Sequence, residues 1–131
     1  MHGHKNTFSK KERLCRKKII SQLINGEAVT KIAEYPLLLV FKNTELPEKV
    51  PAQVMFGVSR KSFKKAVDRN YLKRLLREVY RTNKHLIYSK LIEKNMQAAI
   101  LIVYTPNIIC DYQKLQKSIV RLFEKFNQHI A

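Results

Sequence analysis

Apolar residues recur along the chain at two periods, and each period predicts an element. Between 64 and 84, Leu72, Leu75, Leu76 and Val79 fall at i, i+3, i+4 and i+7, a helical stripe about 100° wide. Ser62 stands ahead of that helix as a candidate N-cap. Near the amino end, Ile19, Ile20, Leu23 and Ile24 give a first helix one apolar side, and Gly26 is placed to end it in a left-handed conformation. Ser9-Lys10-Lys11-Glu12 matches a capping box, which on its own would start that helix at once. Leu115, Ile119, Leu122, Phe123 and Phe126 mark a last helix over 112–127, with Asp111 as its N-cap.

Strands follow the other period. After Pro36, residues 37–41 read Leu-Leu-Leu-Val-Phe, an apolar run of strand length. Residues 52–59 put Val54, Phe56 and Val58 on one side and Met55 and Gly57 on the other. Residues 98–104 are almost wholly apolar, which predicts a central strand covered on both faces and stopped by Pro106. Residues 27–35 alternate weakly, as a bent strand or loop. Two prolines make 43–51 a loop, and 85–97 reads as a helix tail with a turn around Asn95. The order is helix, two or three strands, basic helix, strand, helix: a two-layer α/β sandwich with 52–59 parallel to 98–104. At 131 residues and 45% hydrophobic content, the expectation is one domain over 1–131 with a mobile tail over 1–11.

Charge changes this picture most. The formal charge is +16, with an isoelectric point near 10.1. Residues 5–18 carry +6 and residues 60–84 carry +8, leaving +2 for the rest of the chain. Positive charge gathered into two short segments of an otherwise balanced domain is the footprint of a polyanion-binding surface. On the central helix Arg69, Lys73, Arg77 and Arg81 recur every fourth residue, with Asn70 and Arg74 inside the same arc, opposite the leucines. A merely solvated face would mix signs, whereas here the acids are Asp68 and Glu78 alone. Glu78, costly against phosphate, is expected to orient Arg74 or Arg81.

Candidate chemistry is sparse. The acids are scattered, no glycine-rich phosphate loop is present, and Cys15 and Cys110 stand in no ligand or nucleophile motif. Two cysteines suit a reducing compartment and ordinary packing. His2 and His4 sit in a polar tail without partners. No apolar run is long enough to cross a bilayer, and no catalytic residue is assigned. The classes left open are an RNA-binding protein, including a ribosomal-protein-like structural one, and a basic amphipathic helix on anionic membranes. A DNA-binding role lacks a helix-turn-helix pattern.

Arg69-Asn70, Lys73-Arg74 and Arg77-Glu78, with Val58-Ser59-Arg60-Lys61 and Lys65-Ala66-Val67 upstream, resemble the arginine-asparagine-arginine signature of the bacterial ribonuclease P protein subunit. The resemblance extends from about Phe8 to Phe126, with a spacer Ser62-Phe63-Lys64 one residue longer than the commonest pattern. It implies an αβββαβα order with a left-handed βαβ crossover, an extended Arg13-Leu14, and a first helix that begins near Lys17. It implies binding of a catalytic ribonuclease P RNA by Arg13, Arg60, Lys61, Lys64, Lys65, Arg69, Asn70, Lys73, Arg74, Arg77 and Arg81. That RNA, with magnesium and not with a cofactor held by the protein, would remove the 5′ leader of precursor tRNA in the cytoplasm; no membrane or protein partner is implied. The single-stranded leader would lie in a cleft between the first helix and the sheet. Ile19 and Leu23 stand there where the family commonly has aromatics, joined by Val40 or Phe41 from the strand.

Overall fold

The computed structural model describes residues 7–130; the tail over 1–6, with His2 and His4, lies outside the described residues. A 3-10 turn spans Lys10–Glu12, followed by α1 (Lys17–Asn25), β1 (Thr30–Glu34), β2 (Leu37–Asn43), β3 (Ala52–Val58), α2 (Ala66–Asn83), α3 (His85–Glu93), β4 (Ala98–Tyr104) and α4 (Tyr112–Ile130). The strands form one sheet in the order β1-β2-β4-β3, antiparallel except for the parallel pair β3–β4.

Strand alternation divides the core in two. Leu37, Leu39 and Phe41 of β2, Val54 of β3, and Ile100, Ile102 and Tyr104 of β4 pack against α2, α3 and α4. Val40, Ala99 and Leu101 point to the other face, where α1 lays Ile19 and Leu23 over them. Residues of β4 are therefore buried on both faces, as its unbroken apolar run requires. Buried Leu72, Leu76 and Val79 close α2 against the main core, so its apolar stripe is not available to a membrane surface.

Several boundaries differ from the sequence expectation. The turn Lys10–Glu12 does use the Ser9 capping box, but Leu14 N–H then donates to the Val54 carbonyl at 3.0 Å, beside an Arg13–Val54 bridge. This extended pairing delays α1 to Lys17. From Phe8 onward the tail is anchored, because the Phe8 ring meets Phe56 and Tyr80 edge-on at 5.8 and 5.6 Å. Ser62 does not cap α2; the helix begins at Ala66 after Lys65, because Phe63 turns inward, buried, with its N–H on the Ser59 carbonyl. Residues 85–93 form a helix of their own, α3, with Ile87, Tyr88 and Leu91 in the core, and Asn95 at φ 55° makes the expected turn after it. Gly26 ends α1 at φ 74°, and Asp111 Oδ1 caps α4 by accepting the Lys114 N–H at 2.8 Å.

Candidate nucleic-acid interface

Helix α2 places its cations by simple rotation. At about 100° per residue, Lys73, Asn70, Arg77, Arg81 and Arg74 span an arc of about 100° roughly opposite Leu72, Leu76 and Val79. Asn70, Arg74 and Arg77 are exposed and Lys73 is half-buried; none of the four has a polar partner among the described residues. Glu78 resolves to Arg81 and not to Arg74, at 2.5 Å. The Arg81 guanidinium holds the Glu78 carboxyl below the usual carboxylate range.

Arg69 departs from the expected arc. It lies about 55° from the middle of the stripe formed by Leu72, Leu76 and Val79, and its Nη1 donates to the carbonyls of Phe63 and Lys64 at 2.8 and 2.9 Å. Its charge therefore shapes the loop over 59–65, which carries the exposed cations Arg60, Lys61, Lys64 and Lys65. That loop leaves β3 directly and enters α2, and Ser59 Oγ accepts the Lys61 N–H at 3.1 Å within it. Arg13 is exposed beside β3, with its guanidinium over the Phe8 ring at 5.5 Å.

Lys84 belongs to the same basic run but faces inward. Its ammonium meets Glu12 at 2.5 Å, with both residues buried, and also donates to the Thr7 carbonyl. The Glu12 carboxylate accepts Tyr88 Oη at 2.6 Å and the Ser9 N–H and hydroxyl at 2.7 and 2.9 Å. Burial pushes the Glu12 carboxyl up, but the bonds from Lys84, Tyr88 and Ser9 outweigh it and hold the pKa below its ordinary value. Burial likewise pushes the Tyr88 phenol up. The sequence offers the capping box as the one local sign of Glu12's role; its partners come from 72 and 76 residues away.

On the opposite face of the sheet, the structure brings Ile19, Leu23 and Val40 together, but as a closed cluster in which Leu23 is 1% exposed. Phe41 is not among them. Its ring packs edge-on to Phe126 at 4.7 Å on the α4 side, because the β2–β4 register sets Val40 opposite Leu101 and Phe41 opposite Ile100. Apolar surface reachable from solvent on the α1 face comes instead from half-buried Leu38, Met55 and Val103. Gly57 leaves a shallow gap there, since a Cβ would sit 3.7 Å from both Leu101 and Val103. Strand alternation had already put Met55 and Gly57 on that side; Leu38 and Val103 needed the register.

This geometry joins a cationic helix, a cationic loop and an apolar sheet face at one edge strand, β3. The model of the family described as Ribonuclease P matches residues 8–127. The chain belongs to the ribonuclease P protein family. It is 33% identical over 119 residues to a ribonuclease P protein component of Porphyromonas gingivalis, covering 88% of this chain and 85% of that protein. It is 32% identical over 130 residues to one from Chlorobium phaeobacteroides, covering 91% and 87%. The fold is shared with the RNase P protein of Thermotoga maritima, at a TM-score of 0.66 and 23% identity over 87% of this chain and 96% of that one. It is shared equally with the Staphylococcus aureus RNase P protein, at 0.66 and 19% identity over 88% and 94%. Family membership makes this chain a subunit of ribonuclease P, with the RNase P RNA as partner. Among the described residues no helix is long and apolar enough to cross a membrane.

Proposed function

We propose that α2 and the loop over 59–65 hold the catalytic RNA of ribonuclease P, and that the apolar sheet face beside α1 receives the single-stranded 5′ leader of precursor tRNA. The observation that carries this reading is the arc of Lys73, Arg74 and Arg77, three cations with no acid partner among the described residues, on a helix whose other side is core. Guanidinium groups fork two hydrogen bonds onto phosphate, and the rigid helix fixes their spacing. Arg69 contributes by positioning the loop rather than by presenting its own charge. Asn70, exposed on the arc, supplies a neutral donor and acceptor for a sugar or base edge.

Bond cleavage is assigned to the RNA. Magnesium is assigned to the RNA-containing assembly in this reading. The place of action in this reading is the cytoplasm.

Reconstitution tests the reading. The protein is added to a cognate ribonuclease P RNA at low magnesium, and cleavage of precursor tRNA is measured against RNA alone and protein alone. The expected result is stimulated 5′ cleavage with both components, none with protein alone, and tighter binding of precursor than of leaderless tRNA. RNA binding without any effect on cleavage would point instead to a structural RNA-binding protein. Specific cleavage by the RNA-free protein would overturn the division of labour.

A further inference from the structure

We propose that the RNA-binding surface continues past the loop over 59–65, across the strand ends, to α4. There Tyr35 stacks on an unpaired base of the ribonuclease P RNA, and Lys114, Lys117 and Arg121 meet its phosphates. The proposal rests on the RNA-binding reading above. The register sets Leu37, Tyr104 and Val58 side by side at one end of the sheet. Three connections meet there. The Pro36 carbonyl accepts the Thr105 N–H at 3.0 Å, and the Tyr35 carbonyl accepts the Ser118 hydroxyl at 2.9 Å, which ties the β1–β2 turn to the loop after β4 and to α4. The Tyr104 ring meets Phe63 of the cationic loop at 6.1 Å. The cations over 59–65 and the start of α4 therefore share one end of the molecule.

On α4, Lys114, Lys117 and Arg121 fall within an arc of about 60°, about 130° from the middle of the stripe formed by Leu115, Leu122 and Phe126. All three are exposed, and none pairs with an acid among the described residues. Asp111 caps the helix, Glu34 is taken by Lys125 at 2.8 Å, and Glu124 flanks the arc. Charge counting passes over this run, because the chain outside 5–18 and 60–84 sums to only +2. Beside it the Tyr35 ring is 59% exposed, with Lys114 Nζ 5.4 Å from its centroid. Exposed Ile108 and Ile109 add apolar surface on the loop after β4. An aromatic face interleaved with cations matches a single strand, whose bases stack on the ring while ammonium and guanidinium groups meet the backbone. A chain of charge +16 repels a second copy of itself, which argues against a dimer seam here. Continuity with the loop over 59–65 assigns the strand to the catalytic RNA, which that loop holds in the reading above.

Lysine acetylation by an N-hydroxysuccinimide ester, timed by mass spectrometry on the full chain, tests the surface. Three states are compared: the free protein, the protein with ribonuclease P RNA, and that complex with precursor tRNA. Lys114 and Lys117 should be slowed roughly tenfold by the ribonuclease P RNA alone at about ten times Kd. Lys94, exposed just before β4 and so at the other end of the sheet, serves as the control. Lys114→Gln with Lys117→Gln and Arg121→Gln should make the salt slope of RNA affinity shallower by about two. Tyr35→Ala should weaken affinity about tenfold with the slope unchanged, and Tyr35→Phe should keep it, because stacking needs the ring and releases no counterions. Melting curves confirm that each variant is folded. Free-rate acetylation of both lysines with the RNA demonstrably bound overturns the proposal and leaves the surface to an acidic protein partner. Protection that needs precursor tRNA overturns the assignment to the catalytic RNA. Failure of any RNA to bind the wild-type chain overturns the reading beneath the proposal and the proposal with it.

Discussion

Arg77 and Lys84 lie about two helical turns apart in one basic stretch, and their surroundings give them opposite tasks. Arg77 is exposed and, like Lys73 and Arg74 beside it, has no acid partner among the described residues. Lys84 is 3% exposed, paired with Glu12, and ties the amino-terminal segment to the junction of α2 and α3. Arg69 stands between these extremes, with its guanidinium spent on two loop carbonyls. Net charge counts all three alike. Only burial and partners separate a cation that meets RNA from one that builds the surface on which RNA lies.

The sharpest way to break that comparison is at the buried end. Lys84→Ala leaves the Glu12 carboxylate uncompensated in the interior, a change that costs about 3–5 kcal/mol. Thermal unfolding should fall by roughly 10–20 °C, and RNA assembly should suffer only as far as the fold does. The pair also makes a pH prediction. Because the Glu12 pKa is lowered from 4.5, its contribution is fully present above about pH 4.5 and is lost as pH falls through the lower folded value. A urea midpoint that is as acid-sensitive in Glu12→Gln as in the wild type would contradict this.

A smaller effect is expected at Arg69. Arg69→Gln removes two charge-assisted bonds to loop carbonyls, one part-buried and one exposed, so stability should change by about 1–2 kcal/mol. Hydrogen exchange of amides over 59–65 should quicken, and RNA affinity should fall because the loop cations lose their fixed placement. An unchanged loop with a full loss of affinity would return Arg69 to direct phosphate contact.

Much of this was legible in the sequence where one residue type meets one local demand. The unbroken apolar run of β4, the left-handed Gly26 and the Asp111 cap each depend on neighbours in the chain, and each appears where expected. The basic arc from Asn70 to Arg81 was legible for the same reason, since helical rotation is a local rule, but Arg69 falls off it and turns to the loop carbonyls. What failed depends on distant partners. Lys84 reads as one more surface cation until Glu12 and Thr7 arrive from the amino end. Phe41 and Val40 are equivalent candidates until the register with β4 assigns their faces. Ile19 and Leu23 were placed on the correct helix, but they close the core beneath α1 rather than line an open cleft. Ile19→Ser would therefore report mainly on stability, at a cost of about 2–3 kcal/mol.

The central claim is that exposed cations of α2 meet the phosphates of ribonuclease P RNA, and salt dependence tests it most directly. The measurement is the affinity of the folded chain for its RNA across salt concentrations, for the wild type and for Arg74→Gln with Arg77→Gln. The account predicts a steep wild-type slope, reflecting on the order of five phosphate contacts, and a slope shallower by about two in the double variant. Affinity should drop roughly hundredfold at fixed salt, about 3 kcal/mol for two charge-assisted contacts, with the melting temperature unchanged. An unaltered slope in the double variant, or a nearly flat wild-type affinity between low and moderate salt, would contradict it.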